Sequence, residues 1–212
     1  MIVMKFGGTS VANFEAITRT IFIIGSKLDQ KPVVVVSALS KITDLLYAIS
    51  DAALARDVAK TNELLSQLRR RHVDLTGELL AQSVLKDEAV AAVSEICGGL
   101  DKIALAVCSL GELSDRNKAV IISMGEYLSS TIIAYAMNAK GIRTKWVDSR
   151  TMMITNNSYL KAEPVVDAIA EVAPALVAEA YEGMDAIIMQ GFVGVTADGE
   201  PTVLGRGGSD YS

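Results

Sequence analysis

The chain has 212 residues, of which 50% are hydrophobic, and this is enough apolar material for the buried core of a single α/β domain. Its 20 Lys and Arg residues are outnumbered by 25 Asp and Glu residues, which gives a net charge of −5. This balance excludes a general basic surface for nucleic acid or an anionic membrane, so any bound phosphate must be held locally.

The composition also bears on the compartment. Two cysteines, Cys97 and Cys108, form neither a disulfide framework nor a metal-ligand spacing, and His72 is the single histidine. Apolar runs such as Val33 to Val36 fall far short of the ~20 residues that span a bilayer, and the N-terminus has no signal-peptide pattern. We therefore expect a soluble, cytoplasmic protein with no metal site and with neither nucleic acid nor a membrane as a partner.

The chain opens with an apolar run, Met1 to Met4, followed by Lys5 and two glycines, Gly7 and Gly8. We interpret this as a strand, a turn and the start of a helix. Glycine N–H groups and the positive end of a helix dipole can bind an anion, and Lys5 would add a full charge. The spacing is not that of a P-loop. A tight turn that binds nothing stays an open alternative.

A helical pattern follows the turn, with Thr9 or Ser10 as the predicted N-cap and Lys31-Pro32 as the predicted end. Its apolar positions recur at helical spacing: Val11, Phe14, Ile17, Ile21, Ile24 and Leu28. The β-branched run Val33 to Val36 is typical of a central parallel strand covered on both faces. A right-handed βαβ unit then places the loop after Val36 beside the glycine turn.

The loop after this strand, Ser37 to Thr43, is small and rich in hydroxyl groups. On the sequence alone, we favour an ordinary loop in which Thr43 caps a helix from Asp44 to Ala55 over a role in ligand binding. Residues 57 to about 113 then show a helical pattern without a strand signal, which predicts a helical insertion. Closing over a substrate and making subunit contacts are both open roles for it.

Two features of this helical segment need an interpretation. Gly98-Gly99 predicts a break or kink in its second long helix. The basic run Arg69 to Arg71 is interpreted as a solvated face in preference to a phosphate clamp, because acidic residues surround it. His72 lies beside this run and belongs to no motif.

The next helix is predicted to begin at Ser114-Asp115 and to end at Gly141. Glu126 lies inside its apolar pattern, where a carboxylate is costly unless it is paired. An internal salt bridge or a place at the edge of the helix face would explain this residue, and so would a contact with the ammonium group of a ligand. The sequence alone leaves these alternatives open.

Two more strands are predicted in the second half of the chain. Arg143 to Val147 is strand-like, Pro164 suits the first turn of the following helix, and Pro174 predicts a break or restart in that helix. Ala186 to Met189 is a buried-strand run. Gly191 follows it, at the edge of the predicted sheet where ligands collect.

A hairpin and a glycine-rich segment complete the sequence. Asp198-Gly199 is a hairpin signal, flanked by the strand-like segments Phe192 to Val195 and Thr202 to Leu204. Three glycines then surround Arg206, and Ser209-Asp210 follow, so a planar cation, a hydroxyl and a carboxylate occur close together. Because the arginine fork matches a carboxylate or phosphate, this segment favours an anionic small molecule as ligand over a plain surface turn.

Three short motifs occur in order along the chain. They are Lys5-Phe6-Gly7-Gly8-Thr9-Ser10, Ser123-Met124-Gly125-Glu126 and Leu204-Gly205-Arg206-Gly207-Gly208-Ser209-Asp210-Tyr211. Together they resemble aspartate kinase (aspartokinase) of the amino-acid-kinase superfamily, over essentially all 212 residues. The resemblance implies an α/β fold, a three-layer αβα sandwich with a mainly parallel central sheet. The chain would be the N-terminal, amino-acid-binding portion of the catalytic domain.

Aspartate kinases use ATP and Mg²⁺ to phosphorylate the β-carboxylate of L-aspartate, the first step towards lysine, threonine and methionine. The resemblance implies that Lys5 and Asp210 are catalytic. It implies that Lys5 also binds phosphate, together with Gly7, Gly8, Thr9 and Ser10. It implies aspartate binding by four residues: Thr43, Glu126, Arg206 and Ser209. Thr43 and Arg206 would hold the α-carboxylate of the substrate, and Glu126 would hold its ammonium group.

The chain departs from the family pattern in two respects. Asp44 stands where asparagine is common, next to Thr43. In the family, the last motif leads into the segment that holds adenine and ribose and then into regulatory ACT domains, and the 212 residues contain neither. We therefore expect a truncated fold whose full-length form is a homo-oligomer. A catalytically silent binding or regulatory fragment, or the kinase part of a bifunctional aspartokinase/homoserine dehydrogenase, is the alternative.

Overall fold

The computed structural model of the protein describes residues 1–205. Its strands in this range are β1 (Ile2–Phe6), β2 (Pro32–Val36), β3 (Thr144–Val147), β4 (Ile154–Thr155), β5 (Ala186–Gln190), β6 (Val193–Thr196) and β7 (Pro201–Val203). Its α-helices in this range are α1 (Phe14–Gly25), α2 (Ile42–Leu54), α3 (Val58–Leu79), α4 (Lys86–Leu110), α5 (Asp115–Ala139) and α6 (Val166–Ala180).

The main sheet has four strands in the order β1-β2-β5-β3, and all of its pairings are parallel. Lys5 pairs with Val35, and Val36 pairs with Gln190. Every residue of β2 and β5 is buried, as the continuous apolar runs predict. Because the strands are parallel, their carboxyl ends, and the loops that follow them, lie at one edge of the sheet.

The two faces of the sheet pack on different helices because side chains alternate along each strand. Val34 and Val36 of β2 and Ile188 of β5 belong to a large apolar cluster with α1 to α5. Val33 and Val35 face the other way and form a smaller cluster with α6. The predicted three-layer αβα arrangement with a mainly parallel central sheet is confirmed.

The first helix is shorter than the sequence predicts. It begins after Asn13, whose side chain accepts a hydrogen bond from the N–H of Ala16, so the prediction of Thr9 or Ser10 as N-cap is wrong. These two residues lie in the preceding turn, where Ser10 N donates to Gly7 O at 2.9 Å. The helix also ends before the predicted stop, and a short 3-10 turn over residues 28–30 leads into β2.

The second helix begins earlier than predicted. Its first residue is Ile42, and the N-cap is Lys41, which has a left-handed backbone with φ 65° and makes no capping hydrogen bond through its side chain. Thr43 therefore lies inside the first turn, and the prediction that Thr43 caps this helix is wrong. The loop between β2 and α2 is residues 37–41.

The helical segment at residues 57–113 consists of α3 and α4, and the absence of a strand within it is confirmed. The predicted break at Gly98-Gly99 is wrong because α4 is continuous through both glycines. A glycine costs a helix only about 1 kcal/mol, and burial of Val93, Cys97 and Leu100 on one side of α4 offsets that cost. These residues and Leu68 of α3 share the large cluster with the sheet, so the segment is part of the core.

The fifth helix is the centre of the helical layer. Its boundaries are as predicted: the Ser114 side chain caps it by accepting from Asn117 N, and Gly141 follows its end with φ 81°. In residues 1–205 it is the one helix that is long and apolar enough to cross a membrane by length and composition. Its most apolar window is 78% buried inside the protein, as expected for a core helix.

The sixth helix passes through Pro174 without interruption, so the predicted break there is wrong. Val172 and Leu176 pack against the sheet on either side of Pro174, and this packing holds the helix together where the proline removes a backbone hydrogen bond. Pro164 lies ahead of the helix, in an isolated bridge with Thr155, and not in the first turn as predicted.

The predicted hairpin is confirmed. Strands β6 and β7 pair antiparallel, and Gly199 in their turn has φ 84°, a conformation that favours glycine. Strand β4 pairs with β6 and completes a second, three-stranded sheet. Leu204 N donates to Phe192 O at 2.9 Å, which brings the end of the described chain back beside the loop after β5.

Candidate functional site

Three loops meet at the carboxyl edge of the main sheet. The glycine turn after β1 and the loop 37–41 after β2 are joined by a hydrogen bond from Ser40 N to Gly8 O at 3.1 Å. The loop after β5 lies beside them, because Gly191 N donates to the carbonyl oxygen of Val36, the last residue of β2, at 2.9 Å. The position predicted for the second loop, beside the glycine turn, is confirmed.

The two glycines of the turn have different surroundings. A Cβ on Gly8 would lie 2.9 Å from the carbonyl oxygen of Ala38, so only glycine permits this contact between the two loops. A Cβ on Gly7 would meet nothing within 4 Å, and Gly7 is exposed. The turn is tied to α1 because Thr20 Oγ1 donates to Ser10 O at 2.8 Å. The predicted phosphate-binding residues that follow β1, Gly7 to Ser10, therefore form one fixed turn with an open side at Gly7.

Lys5 lies one residue before the end of β1, beside the glycine turn. Its neighbours Met4 and Phe6 pack against the large apolar cluster, so the alternation of a strand places Lys5 on the opposite face of the sheet. Lys5 is half-buried. Lys5 therefore lies near the edge where the three loops meet.

Glu126 is 3% exposed and lies in the middle of α5. Its Oε1 accepts a hydrogen bond from Ala38 N at 3.2 Å, and its Oε2 has no hydrogen-bond partner within residues 1–205. Burial raises the pKa of the Glu126 carboxyl to about 8, and the hydrogen bond from Ala38 acts in the opposite direction. The sequence left an internal salt bridge and a ligand contact open as explanations for Glu126. In the structure, Glu126 contacts the loop 37–41 and forms no ion pair with a described residue.

Two neighbours in α5 allow the helix to approach this loop closely. A Cβ on Gly125 would lie 2.8 Å from the Cβ of Ala38, so this position also requires glycine. Ser129 Oγ donates to Ser37 O at 2.8 Å. Sequence reasoning missed Ser129, although its spacing of three residues from Glu126 places both side chains on one face of the helix. Glu126 and Ser129 together bind the N–H and the carbonyl oxygen of the peptide group that joins Ser37 to Ala38.

Of the other residues predicted to bind aspartate, Thr43 lies within the described range. Thr43 is half-buried in the first turn of α2, directly after the loop 37–41. Arg206, Ser209 and Asp210 lie outside the described residues, so the predicted meeting of Asp210 with Lys5 stays a prediction. The structure therefore brings together the glycine turn, Lys5, Thr43 and Glu126 at one edge of the sheet.

The basic run on α3 contains a site contact that sequence reasoning missed. Arg71 Nη2 donates to Ser40 O at 2.8 Å. Arg69 forms an ion pair with Asp101 of α4, and Arg70 is exposed. Our interpretation of the run as a solvated face is therefore confirmed for Arg70, whereas Arg69 and Arg71 are half-buried and bind α4 and the loop 37–41. The sequence carries no signal that separates the three arginines, because their partners come from distant parts of the chain.

Comparison with known proteins adds independent findings. A model of the amino acid kinase family matches residues 1–212. The chain is 33% identical over 213 residues to the lysine-sensitive aspartokinase 3 of Escherichia coli (strain K12), covering 100% of this chain and 45% of that protein. It is 32% identical over 211 residues to an aspartokinase of Chlamydia muridarum, covering 100% of this chain and 44% of the relative. The chain thus spans just under half the length of these relatives.

Solved structures agree with the sequence comparison. The fold matches E. coli aspartokinase III in complex with lysine and aspartate (T-state) with a TM-score of 0.85 and 31% identity. It matches the same enzyme in complex with aspartate and ADP (R-state) with a TM-score of 0.84 and 32% identity. Both matches cover 100% of this chain and 45% of the solved one. Because the family model matches the whole sequence and the fold agrees with these structures, the chain belongs to the amino acid kinase family.

Proposed function

We propose that this chain is the amino-acid-binding portion of an aspartate kinase, which transfers the γ-phosphoryl group of ATP to the β-carboxylate of L-aspartate. The observation that carries the proposal is the buried carboxyl of Glu126, which contacts the loop 37–41 beside the glycine turn. Relatives solved with aspartate, and with aspartate and ADP, support this choice of substrates.

Glu126 would bind the ammonium group of the substrate. In the structure its Oε2 has no described partner, and burial keeps much of the carboxyl protonated near pH 7. An incoming ammonium group would supply the missing positive charge, and the carboxyl would then release its proton and form a charge-assisted hydrogen bond. Thr43, and Arg206 beyond the described residues, would hold the α-carboxylate, so the substrate is fixed at both ends.

The glycine turn and Lys5 would bind the transferring phosphoryl group. The turn fits an anion because Gly7 is exposed and leaves room for close approach to the backbone. Lys5 would offset the charge that develops in the transition state, and Asp210 would orient the lysine. The nucleophile is a carboxylate that is already ionised at neutral pH, so the reaction needs no general base.

We propose Mg²⁺ as the metal that accompanies ATP. Residues 1–205 contain no group of three or more His, Cys, Asp or Glu side chains that could hold a metal ion. Mg²⁺ is usually held by substrate phosphates, one or two carboxylates and water. Mg²⁺ would therefore arrive with the nucleotide and be held chiefly by its phosphates and by water.

The proposed function is tested by release of ADP in the presence of L-aspartate, in the protein as the cell makes it. We expect aspartate-dependent turnover, and Glu126→Gln should raise the KM for aspartate roughly ten- to a hundredfold while changing the KM for ATP little. Glu78→Gln, at an exposed position on α3, is the matched control and should behave as the wild type. Absence of aspartate-dependent turnover would contradict the enzyme.

A second candidate function is a catalytically silent binding portion, or the kinase part of a bifunctional aspartokinase/homoserine dehydrogenase. The observation behind it is a match to a bifunctional relative. The chain covers 22% of the bifunctional aspartokinase/homoserine dehydrogenase 1 of Zea mays, to which it is 28% identical over 218 residues. Binding of L-aspartate without ADP release would favour a silent portion, and homoserine dehydrogenase activity in the same polypeptide would favour the bifunctional enzyme.

We also propose a cytoplasmic homo-oligomer. The described thiols Cys97 and Cys108 are buried and free, as suits a reducing compartment. Phe22 of α1 is 78% exposed and Val166 of α6 is 71% exposed, and burial of such apolar side chains in a subunit contact would be favourable. Analytical ultracentrifugation tests the assembly, and a monomer at micromolar concentration would contradict it.

A further inference from the structure

The loop 37–41 is held by four different parts of the chain. Ser37 N donates to Phe6 O of β1 at 3.0 Å, and α5 contacts Ser37 and Ala38 through Ser129 and Glu126. Beyond these contacts, the glycine turn and α3 both bind Ser40. All of these contacts lie within residues 1–205. Among them, the donor with a full positive charge is the guanidinium of Arg71.

We propose that Arg71 is a positioning residue of the amino-acid site, which holds the loop 37–41 in place by binding the carbonyl oxygen of Ser40. The contact is 2.8 Å and partly buried. A hydrogen bond from a charged donor is stronger than a neutral one, and partial burial reduces competition from water. The proposal rests on the proposed function only in naming the ligand of the site.

The backbone next to this contact is in a conformation that needs support. Lys41 has φ 65°, in the left-handed region that non-glycine residues rarely adopt, and its side chain does not cap the helix. Such a conformation persists when the surrounding structure fixes it. Arg71 binds the carbonyl directly before Lys41, so this contact stabilises the sharp entry into α2 and thereby places Thr43.

Ser40 also connects Arg71 to the glycine turn. Its N–H donates to Gly8 O at 3.1 Å, while its carbonyl accepts from Arg71 at 2.8 Å. A shift of Ser40 would therefore move the turn that we assign to phosphate binding as well as the loop that contacts Glu126. One arginine on α3 thus reaches both halves of the proposed site through a single residue.

The helix that carries Arg71 is itself fixed in the core. Leu68 is fully buried, and Arg69 pairs with Asp101 and donates to Ser94 O of α4 at 3.3 Å. His72 is also fully buried, and its Nδ1 lies 2.8 Å from Leu68 O. The helical segment 57–113 therefore supports the site as part of the packed core, a role that the sequence did not indicate.

The first experiment tests positioning without relying on catalysis. Amide hydrogen exchange at Ser40 and Ile42 is compared in the wild type, Arg71→Met and Arg70→Met, where the control removes an exposed arginine from the adjacent position. We expect exchange at these two amides to be roughly tenfold faster in Arg71→Met alone. Arg71→Lys, which keeps a charged donor, should give an intermediate rate. Equal exchange in Arg71→Met and Arg70→Met would overturn the proposal.

The second experiment measures the effect on the site. Arg71→Met should raise the KM for L-aspartate roughly tenfold with a smaller change in kcat, and Arg71→Lys should restore part of the loss. The same rise in KM in Arg70→Met would show a general effect of charge and overturn the proposal. If the wild type fails to turn over aspartate, the proposed function is wrong, and the exchange experiment still decides whether Arg71 positions the loop.

Discussion

Glu126 is a buried carboxyl whose protonation changes near neutral pH. Its pKa rises from a usual value of 4.5 to about 8 because burial disfavours the charged form. The folded chain therefore binds a proton that the unfolded chain has already released between these two pH values. The stabilising contribution of the protonated group is fully present below pH 4.5 and is lost as the pH rises through about 8.

This shift predicts a pH dependence of stability. Between pH 5 and pH 8, we expect Glu126 to lower the free energy of unfolding by up to about 1.4 kcal/mol for each pH unit. Glu126→Gln should remove this slope, and Glu78→Gln should keep it. Urea unfolding at a series of pH values makes the measurement. The same slope in Glu126→Gln and in the wild type would show that another group titrates.

The two glycines of the first turn predict a matched pair of variants. Gly8→Ala should lower the free energy of unfolding by about 1–3 kcal/mol, because its Cβ would lie 2.9 Å from the carbonyl oxygen of Ala38, an atom of the backbone. Gly7→Ala should cost less, because its Cβ meets nothing within 4 Å. Chemical unfolding of both variants gives the comparison, and equal costs would contradict the described contact between the loops.

At the scale of helices and strands, the sequence predicts an element most accurately where a single residue pattern or a single turn signal defines it. The run Val33 to Val36 is buried over its whole length, and the start of α5 at Ser114 and the hairpin around Gly199 follow from local chemistry. The helix breaks predicted at Pro174 and at Gly98-Gly99 are wrong, because tertiary packing outweighs a local cost of a few kcal/mol. The N-caps Asn13 and Lys41 differ from the predicted ones, because several nearby polar residues could cap α1 equally well and the left-handed backbone of Lys41 has no signal in the local sequence.

The helical segment 57–113 gives a prediction at this scale. Leu100 of α4 is fully buried in the cluster that also contains the sheet residues, so Leu100→Ala should cost about 2–5 kcal/mol. Val84 is 99% exposed between α3 and α4, and Val84→Ala is the control, with an expected effect within about 0.5 kcal/mol.

Two probes distinguish a shared core from a separate helical lid. Trp146, the single tryptophan of the chain, reports on β3, and circular dichroism reports on the helices. In Leu100→Ala we expect both signals to shift to the same lower urea concentration. A shift in circular dichroism without a shift in Trp146 fluorescence would show that α4 unfolds independently of the sheet.

At the scale of the whole molecule, the sequence predicts which segments form the site better than it predicts their contacts. The right-handed βαβ rule is sufficient to place the loop 37–41 beside the glycine turn. The same rule does not indicate that Glu126 binds Ala38 or that Arg71 binds Ser40, since these partners are 88 and 31 residues apart. Contacts of this kind depend on how the helical layer packs on the sheet, which local patterns do not encode.

The central claim is that Glu126 recognises the ammonium group of an amino acid bound at this edge of the sheet. Titration calorimetry with L-aspartate and with succinate, which lacks the ammonium group, tests it most directly in the wild type and in Glu126→Gln. We predict that the wild type prefers L-aspartate by roughly tenfold or more and that Glu126→Gln loses most of this preference. An equal preference for L-aspartate in both proteins would contradict the assignment of Glu126.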